Sequence, residues 1–221
     1  MILAENLIKS YRRRKILDGL SFRIKKNELT LFVGSNAAGK TTTLKILAGV
    51  LKPDSGSVKI DGIDIIQNRR EAQKLLSFLP QAVTFDPRLS CRQLLNFYAR
   101  LRKAPLHRVD KLLEYVGLKE EADKRSHELS GGLRQRLGLA VLLIPDAPVL
   151  LLDEPGLSLD PKWRVRLQEI LRDEVKNGKT VFVTTHLLGE WEGVADSCLL
   201  CRDGKLKGEL DPKRIREQFE L

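Results

Sequence analysis

Two stretches of this chain have the makings of a phosphate cradle. The first, GSNAAGKT, runs through Gly34, Ser35, Asn36, Ala37, Ala38, Gly39, Lys40 and Thr41, with Thr42 following, and matches GxxxxGK[ST]. An apolar run, LTLFV (29–33), precedes it, and KTTTLKILAGV follows with leucines at 44, 47 and 51. That strand–loop–helix setting is what makes the pattern specific. The loop's N–H groups converge on the phosphates, and the helix N-terminus adds partial positive charge. In such a loop Lys40 reaches the β- and γ-phosphates and the Thr41 hydroxyl ligates Mg2+. The competing reading is a glycine-rich structural turn with a chance lysine. Strand, loop, Lys, Thr and helix in that order argue against it.

The second stretch is LSGGLRQR, Leu129 to Arg136. Ser130, Gly131 and Gly132 stand ahead of an apolar helical pattern, so their N–H groups are uncommitted and face the positive end of a helix. Glycine also lets backbone approach a phosphate closely. A serine here is equally a good N-cap, and the two roles are compatible. One nucleotide needs one cradle, so the second raises the question of whose phosphate it holds.

Two carboxylates and a histidine complete the chemistry. VLLLDEP ends an apolar run in Asp153 and Glu154. A carboxylate there is costly without a partner. Asp153 can hold Mg2+ opposite Thr41, directly or through water, and Glu154 can polarise an attacking water as a general base. TVFVTT (180–185) is a further apolar run, followed by His186. At the carboxyl end of a neighbouring strand, His186 would stand at the same sheet edge, within reach of a γ-phosphate.

The elements that must position these groups are marked out by Gly and Pro. Continuous apolar strands at 29–33, 149–154 and 180–185, alternating with helices at 40–50 and 163–175, predict an α/β fold with a mainly parallel sheet covered on both faces. SGSVKIDG (55–62) reads as a short strand between turns. MILAENLIKSY and LDGLSFRIKKN alternate weakly and predict an antiparallel β subdomain beside that core. From about 84 to 145 the strand pattern disappears, and RQLLNFYARLRK, HRVDKLLEYVG and LRQRLGLAVLLI read as helices. The expectation is a single domain over 1–221, with a core of about 1–83 and 146–221 and an inserted helical subdomain of about 84–145.

Composition narrows the setting. The chain has 221 residues and a net charge of +10, from 39 Lys+Arg against 29 Asp+Glu. Nucleic acid, anionic lipid and nucleotide phosphate all suit that sign. Its most apolar run is interrupted by Pro145, Asp146 and Pro148, too short to span a bilayer. The opening MILAENLIKSYRRRK carries its charges after the apolar part and does not read as a signal peptide. Three cysteines fit a reducing compartment. Cys198 and Cys201 form a CxxC, but on a strand positions three apart face opposite sides, so no shared metal or redox site is expected.

P-loop, LSGG, DE and a strand ending in His, in that order, resemble the ATP-binding-cassette (ABC) ATPases over nearly the whole chain. The resemblance implies ATP and Mg2+ as cofactors. It implies that Tyr11 stacks on adenine and that Gly34 to Thr42 form the Walker A loop. Gln81, in FLPQ, would be the Q-loop glutamine that meets Mg2+ and links the core to the helical subdomain. Leu129 to Arg136 match the signature motif, Asp153 the Walker B aspartate, Glu154 the catalytic glutamate, Ser158, Leu159 and Asp160 the D-loop, and His186 the switch histidine. In that family two cassettes pack head to tail and each signature closes on its partner's ATP. The second cradle would then serve the γ-phosphate of another copy, or of a homologous cassette. The resemblance further implies a separate transmembrane permease and a peripheral place on the cytoplasmic face of the membrane. TTTLKILAGVLKPDSGSVKIDG is similar to small bacterial-type cassettes that often pair with exporters. A soluble cassette acting on nucleic acid or ribosomes is the alternative, against which stand the single cassette and the missing heptad or zinc insertions. A catalytically impaired regulatory module is a third reading, opposed by intact Lys40, Asp153, Glu154 and His186. Three departures stand out. Ala37 replaces a frequent Gly and would be strained by about 1 kcal/mol if its φ is positive. Ser35 replaces Pro, and Gly156-Leu157 replace Thr-Ser ahead of the D-loop. Arg12, Arg13, Arg14 and Lys15 after Tyr11 read either as a solvated basic turn or as added charge near the phosphates.

Overall fold

The computed structural model describes residues 1–12, 14–186, 188–215 and 217; Arg13 in the basic turn lies outside the described residues. The first half of the chain forms strands β1 (Ile2–Tyr11), β2 (Arg14–Ile24) and β3 (Leu29–Val33), then helix α1 (Lys40–Leu47). Strands β4 (Ser55–Ile60) and β5 (Ile63–Asp64), helix α2 (Arg69–Lys74) and strand β6 (Leu76–Leu79) follow. Helices α3 (Cys91–Leu101), α4 (Arg108–Tyr115) and α5 (Gly131–Leu143) come next. The chain closes with β7 (Val149–Asp153), α6 (Pro161–Lys176), β8 (Thr180–Thr185), β9 (Ser197–Arg202) and β10 (Lys205–Leu210).

Two sheets result, as the alternation of elements predicts. A six-stranded sheet has the order β10-β9-β3-β8-β7-β6, parallel throughout except for the β9–β10 hairpin. A four-stranded antiparallel sheet has the order β2-β1-β4-β5. The continuous apolar strands are explained by cores on both faces. Leu29, Leu31, Val33, Leu150, Leu152, Val181 and Val183 enter the core shared with α3 to α6. The intervening Phe32, Leu151 and Phe182 enter the core shared with α1 and the antiparallel sheet. There Phe22 of β2 packs against Phe32 and Phe182 with centroids 5.6 and 5.8 Å away, joining one sheet to the other. Cys198 and Cys201 obey the same alternation, one in each core. Burial pushes their thiols up to about 12 and about 11, so both are inert packing groups.

Some boundaries differ from the sequence expectation. Helix α1 ends at Leu47, well before Pro53, because Gly49 takes φ 66 and the chain closes in a Schellman motif. Gly49 N donates to Ile46 O at 2.9 Å and Val50 N to Lys45 O at 2.9 Å. Gly131 and Gly132 do not precede α5 but form its first turn, with Ser130 as N-cap accepting from Leu133 N at 3.3 Å. Strands β6 and β10 had no expectation. β6 is only four residues long, and β10 alternates exposed with half-buried positions at the sheet edge. No helix among the described residues is long and apolar enough to cross a membrane.

Candidate functional site

The parallel register brings the chemistry together. Val33 lies beside Thr185, and Asp153 beside Thr184, so β3, β7 and β8 end at one edge and deliver Gly34, Glu154 and His186 there. A cavity of about 550 Å³ opens at that edge. Residues 36–42 line it, together with Tyr11, Arg14 and Ile16 of the first hairpin, Gln81, Glu154 and His186. Gly34 and Ser35 belong to the loop but do not line the cavity.

The loop is packed from behind. A Cβ at Gly34 would lie 2.2 Å from the Cys201 carbonyl oxygen, and one at Gly39, whose φ is 105, would lie 2.6 Å from Leu17 Cδ2. Both positions therefore require glycine. Gly204 N and Cys201 Sγ donate to the Ala38 carbonyl at 3.2 and 3.1 Å, so the β9–β10 hairpin buttresses the cradle. Ala37 has φ 65, the left-handed conformation that strains an L-residue. Ala37→Gly is expected to relieve it and raise the melting temperature by about 2 °C, since ~1 kcal/mol shifts a domain of this size by a few degrees and glycine's added unfolded-state freedom offsets part of that. Calorimetry of the two proteins checks this; an unchanged or lowered value removes the strain argument.

Lys40 is almost wholly buried, and its Nζ donates to the carbonyls of Gly34 at 2.7 Å and Ser35 at 3.2 Å. Glu154 Oε1 stands 3.9 Å from it. Glu154 has φ 49, another left-handed residue, and it turns the carboxylate into the cavity at the end of β7. Thr184 holds that conformation: Glu154 N donates to Thr184 O at 3.1 Å and to Thr184 Oγ1 at 3.2 Å. Backbone strain at a reacting group, held by its surroundings, is a mark of functional sites. Glu154 Oε2 accepts from His186 N at 3.2 Å and pairs with His186 Nδ1 at 2.8 Å. An ionised carboxylate only accepts, so Nδ1 carries the proton in that pair.

Asp153 is buried and does not line the cavity; it lies beneath Thr41. Its Oδ1 accepts from Thr41 Oγ1 at 3.2 Å and from Thr184 Oγ1 at 2.7 Å. Thr41 and Asp153 thus set hard oxygens side by side, the donor chemistry that Mg2+ takes. No group of three or more His, Cys, Asp or Glu gathers as a metal cage among the described residues. Mg2+ is ordinarily bound through one or two carboxylates and substrate phosphates rather than by an all-protein cage.

Thr184 was not expected from sequence, and Arg14 was expected only on one of two readings. The signal for Thr184 was a polar residue ending an apolar strand, where burial requires a partner. Arg14 lay in the basic turn whose two readings could not be separated. In the structure it lines the cavity, directly across from Tyr11 in the β1–β2 pairing.

The second candidate cradle lies elsewhere. Ser130, Gly131 and Gly132 are absent from the cavity lining, and Ser130 and Gly131 are exposed. They abut the D-loop instead: a Cβ on Gly132 would come within 3.1 Å of Ser158 O. Asp160 caps α6, accepting from Trp163 N at 3.0 Å, and Leu159 is buried. Gln135 of α5 donates to Pro155 O at 3.1 Å, tying the signature helix to the residue after Glu154.

Known proteins resemble this chain in sequence and fold. The ABC transporter family profile matches residues 17–156. The chain is 37% identical to the uncharacterized ABC transporter ATP-binding protein YxlF of Bacillus subtilis (strain 168), covering 100% of this chain and 75% of that protein. It is 37% identical to the Nod factor export ATP-binding protein I of Burkholderia pseudomallei (strain 1710b), over 95% of this chain and 70% of the relative. Among solved structures, the dimeric post-hydrolysis state of the ATP-binding cassette MJ0796 bound to ADP and Pi superposes with a TM-score of 0.88 at 26% identity, covering 96% of this chain and 99% of that one. With the P-loop, the paired carboxylates and the strand-end histidine gathered at one sheet edge, this chain belongs to the ABC transporter family, as one of its ATP-binding, ATP-hydrolysing cassettes.

Proposed function

We propose that this chain drives a separate export permease by ATP-dependent, head-to-tail pairing of two cassettes. The observation that carries the reading is the position of the signature turn. It is exposed, built like an anion site, and missing from the chain's own cavity. A second copy, or a homologous cassette, supplies the turn that this cavity lacks. The similarity to the dimeric MJ0796 cassette supports the pairing, and the similarity to the Nod factor export ATP-binding protein I supports the direction.

Within the cavity Tyr11 stacks on the adenine, and the loop from Gly34 to Thr42 surrounds the phosphates. Lys40 leaves its carbonyl partners to meet the β- and γ-phosphates. Thr41 and Asp153, with Gln81 lining the same cavity as Thr41, would hold Mg2+, which would supply positive charge against the phosphates. Glu154 accepts the proton of the attacking water, and His186, hydrogen-bonded to it, orients the carboxylate and faces the γ-phosphate. Ser130, Gly131 and Gly132 approach the γ-phosphate of the other copy through backbone N–H groups.

Gln81 follows β6 closely, and β6 borders a groove of about 310 Å³ between the sheet and helices α3 and α5. Val50 and Leu101 line the groove and are 59% and 64% exposed, an apolar surface suited to a permease segment. A core of about 1–83 and 146–221 would then move against a helical unit of about 84–145, with Gln81 at the joint. The net charge of +10 suits a place beside anionic lipid on the cytoplasmic face of the membrane. Affinity capture of the chain from its own cells tests the reading. A co-purifying polytopic membrane protein is expected; recovery of RNA or ribosomes with no such protein would replace it by a soluble cassette acting on nucleic acid.

A further inference from the structure

A cluster of aromatic and cationic side chains outside the cavity joins the two segments that face away from it. The Arg136 guanidinium, on the second turn of α5, lies 3.8 Å from the centroid of the Trp163 ring, on the first turn of α6. Its Nε donates to Val116 O at 2.9 Å, and a terminal nitrogen donates to Gly117 O. One turn further along α6 the sense of the contact reverses, with Arg166 standing 5.3 Å from the Tyr115 ring of α4. Trp163 and Arg166 share one helix face. Gly117 closes the cluster. Its φ is 63, and a Cβ there would lie 2.6 Å from Trp163 and 2.7 Å from Arg136. Glycine is the residue that lets the three meet.

The stack is placed to act at a distance. Ser130 caps α5 and Asp160 caps α6, so Arg136 and Trp163 each sit just inside a helix whose start carries a functional segment. The two segments lie side by side, since a Cβ built on Gly132 would come within 3.1 Å of Ser158 O. Partial burial pulls the Arg136 guanidinium below its ordinary pKa, the sign of a cation partly removed from water. A desolvated guanidinium is attracted to an indole face more strongly than an exposed one. Neither Trp163 nor Gly117 lines the nucleotide cavity.

We propose that Trp163 is a positioning residue: by clasping Arg136 it holds the Ser130–Gly132 turn and the segment 156–160 as one rigid face, presented to the nucleotide of a second copy. This rests on the paired-cassette reading. The clasp has no bearing on nucleotide held by the chain's own P-loop, so it separates the two binding events.

Trp163→Leu and Trp163→Phe, each in the Glu154→Gln background, test it by size-exclusion chromatography across an ATP titration, with nucleotide affinity of the single chain measured in parallel. Trp163→Leu is expected to leave single-chain ATP affinity unchanged and to raise the ATP concentration for half-dimerisation about tenfold, the size of a partly buried cation–π contact. Trp163→Phe, which keeps an aromatic face, should recover most of that loss. Gly117→Ala, which wedges the stack apart from the α4 side, should reproduce the Leu phenotype, and it decides the matter if Trp163→Leu does not fold. A Glu154→Gln parent that stays monomeric in ATP overturns the paired-cassette reading and the clasp with it. A parent that dimerises while folded Trp163→Leu, or Gly117→Ala in its place, dimerises at the same ATP concentration overturns the clasp alone.

Discussion

Glu154→Gln is expected to keep ATP bound and to lower turnover by about 10²- to 10⁴-fold, the usual contribution of a positioned general base. The amide is nearly isosteric with the carboxylate, and its oxygen can still accept from His186 N, which stands 3.2 Å from Glu154 Oε2. The strained backbone, held by two hydrogen bonds from Glu154 N to Thr184, should therefore persist. What is lost is the basic oxygen that, on the proposed reading, takes the proton of the attacking water. With the triphosphate uncleaved, the ATP-bound pair of cassettes should accumulate, visible by size-exclusion chromatography beside a phosphate-release assay. Ser130→Arg in the same background puts a bulky cation into the exposed turn and should abolish that dimer while sparing single-chain nucleotide binding. A Glu154→Gln protein that hydrolyses ATP at the wild-type rate would refute the assignment of the base.

Lys40→Ala should instead act on binding. Its ammonium is almost wholly buried at the loop and already makes two hydrogen bonds to loop carbonyls, so it stands within the cradle before any phosphate arrives. Hydrogen bonds to charged groups contribute about 1.5–3 kcal/mol each, so losing those to the β- and γ-phosphates should weaken ATP binding by about 100-fold or more. A second effect follows from Glu154, whose Oε1 lies 3.9 Å from the Lys40 ammonium. Removing the cation leaves a buried carboxylate without that partner, and a buried charge that loses its partner is destabilising. Lys40→Ala should therefore also melt at lower temperature, and ATP should raise its melting point less than it does for the wild type. Titration calorimetry and thermal unfolding read the two effects separately. Unchanged ATP affinity would remove the P-loop assignment.

Much of this arrangement was legible because it is local. LTLFV, VLLLD and TVFVTT had to be strands buried on both faces, since no alternation offers either face to water. Their polar endings, Gly34, Asp153-Glu154 and His186, then had to meet at one edge of a parallel sheet. The strain at Ala37 was legible only as a condition, since the family resemblance puts glycine there without fixing φ; the observed φ of 65 meets that condition. Helix ends were less legible. α1 stops at Gly49 rather than near Pro53, because a left-handed glycine closes the helix before the proline can. β6 and β10 escaped notice because a four-residue apolar run and a weakly alternating edge strand carry little pattern of their own; pairing with β7 and β9 makes them strands.

By itself, then, the sequence determined which residues are candidates for the phosphate and carboxylate chemistry, and that they stand at strand ends and helix starts, because backbone hydrogen bonding and burial act on neighbours along the chain. Only the tertiary structure decided that Thr184 holds both Asp153 and the strained Glu154, that Arg14 reaches the cavity, and that Cys201 and Gly204 support the P-loop from behind. Only it placed the signature turn against Ser158 and away from its own cavity, and stacked Arg136 on Trp163. These contacts join residues up to 166 positions apart, as between Ala38 and Gly204. No local pattern encodes them, because they exist only once the packing of two cores has brought distant segments within hydrogen-bonding reach.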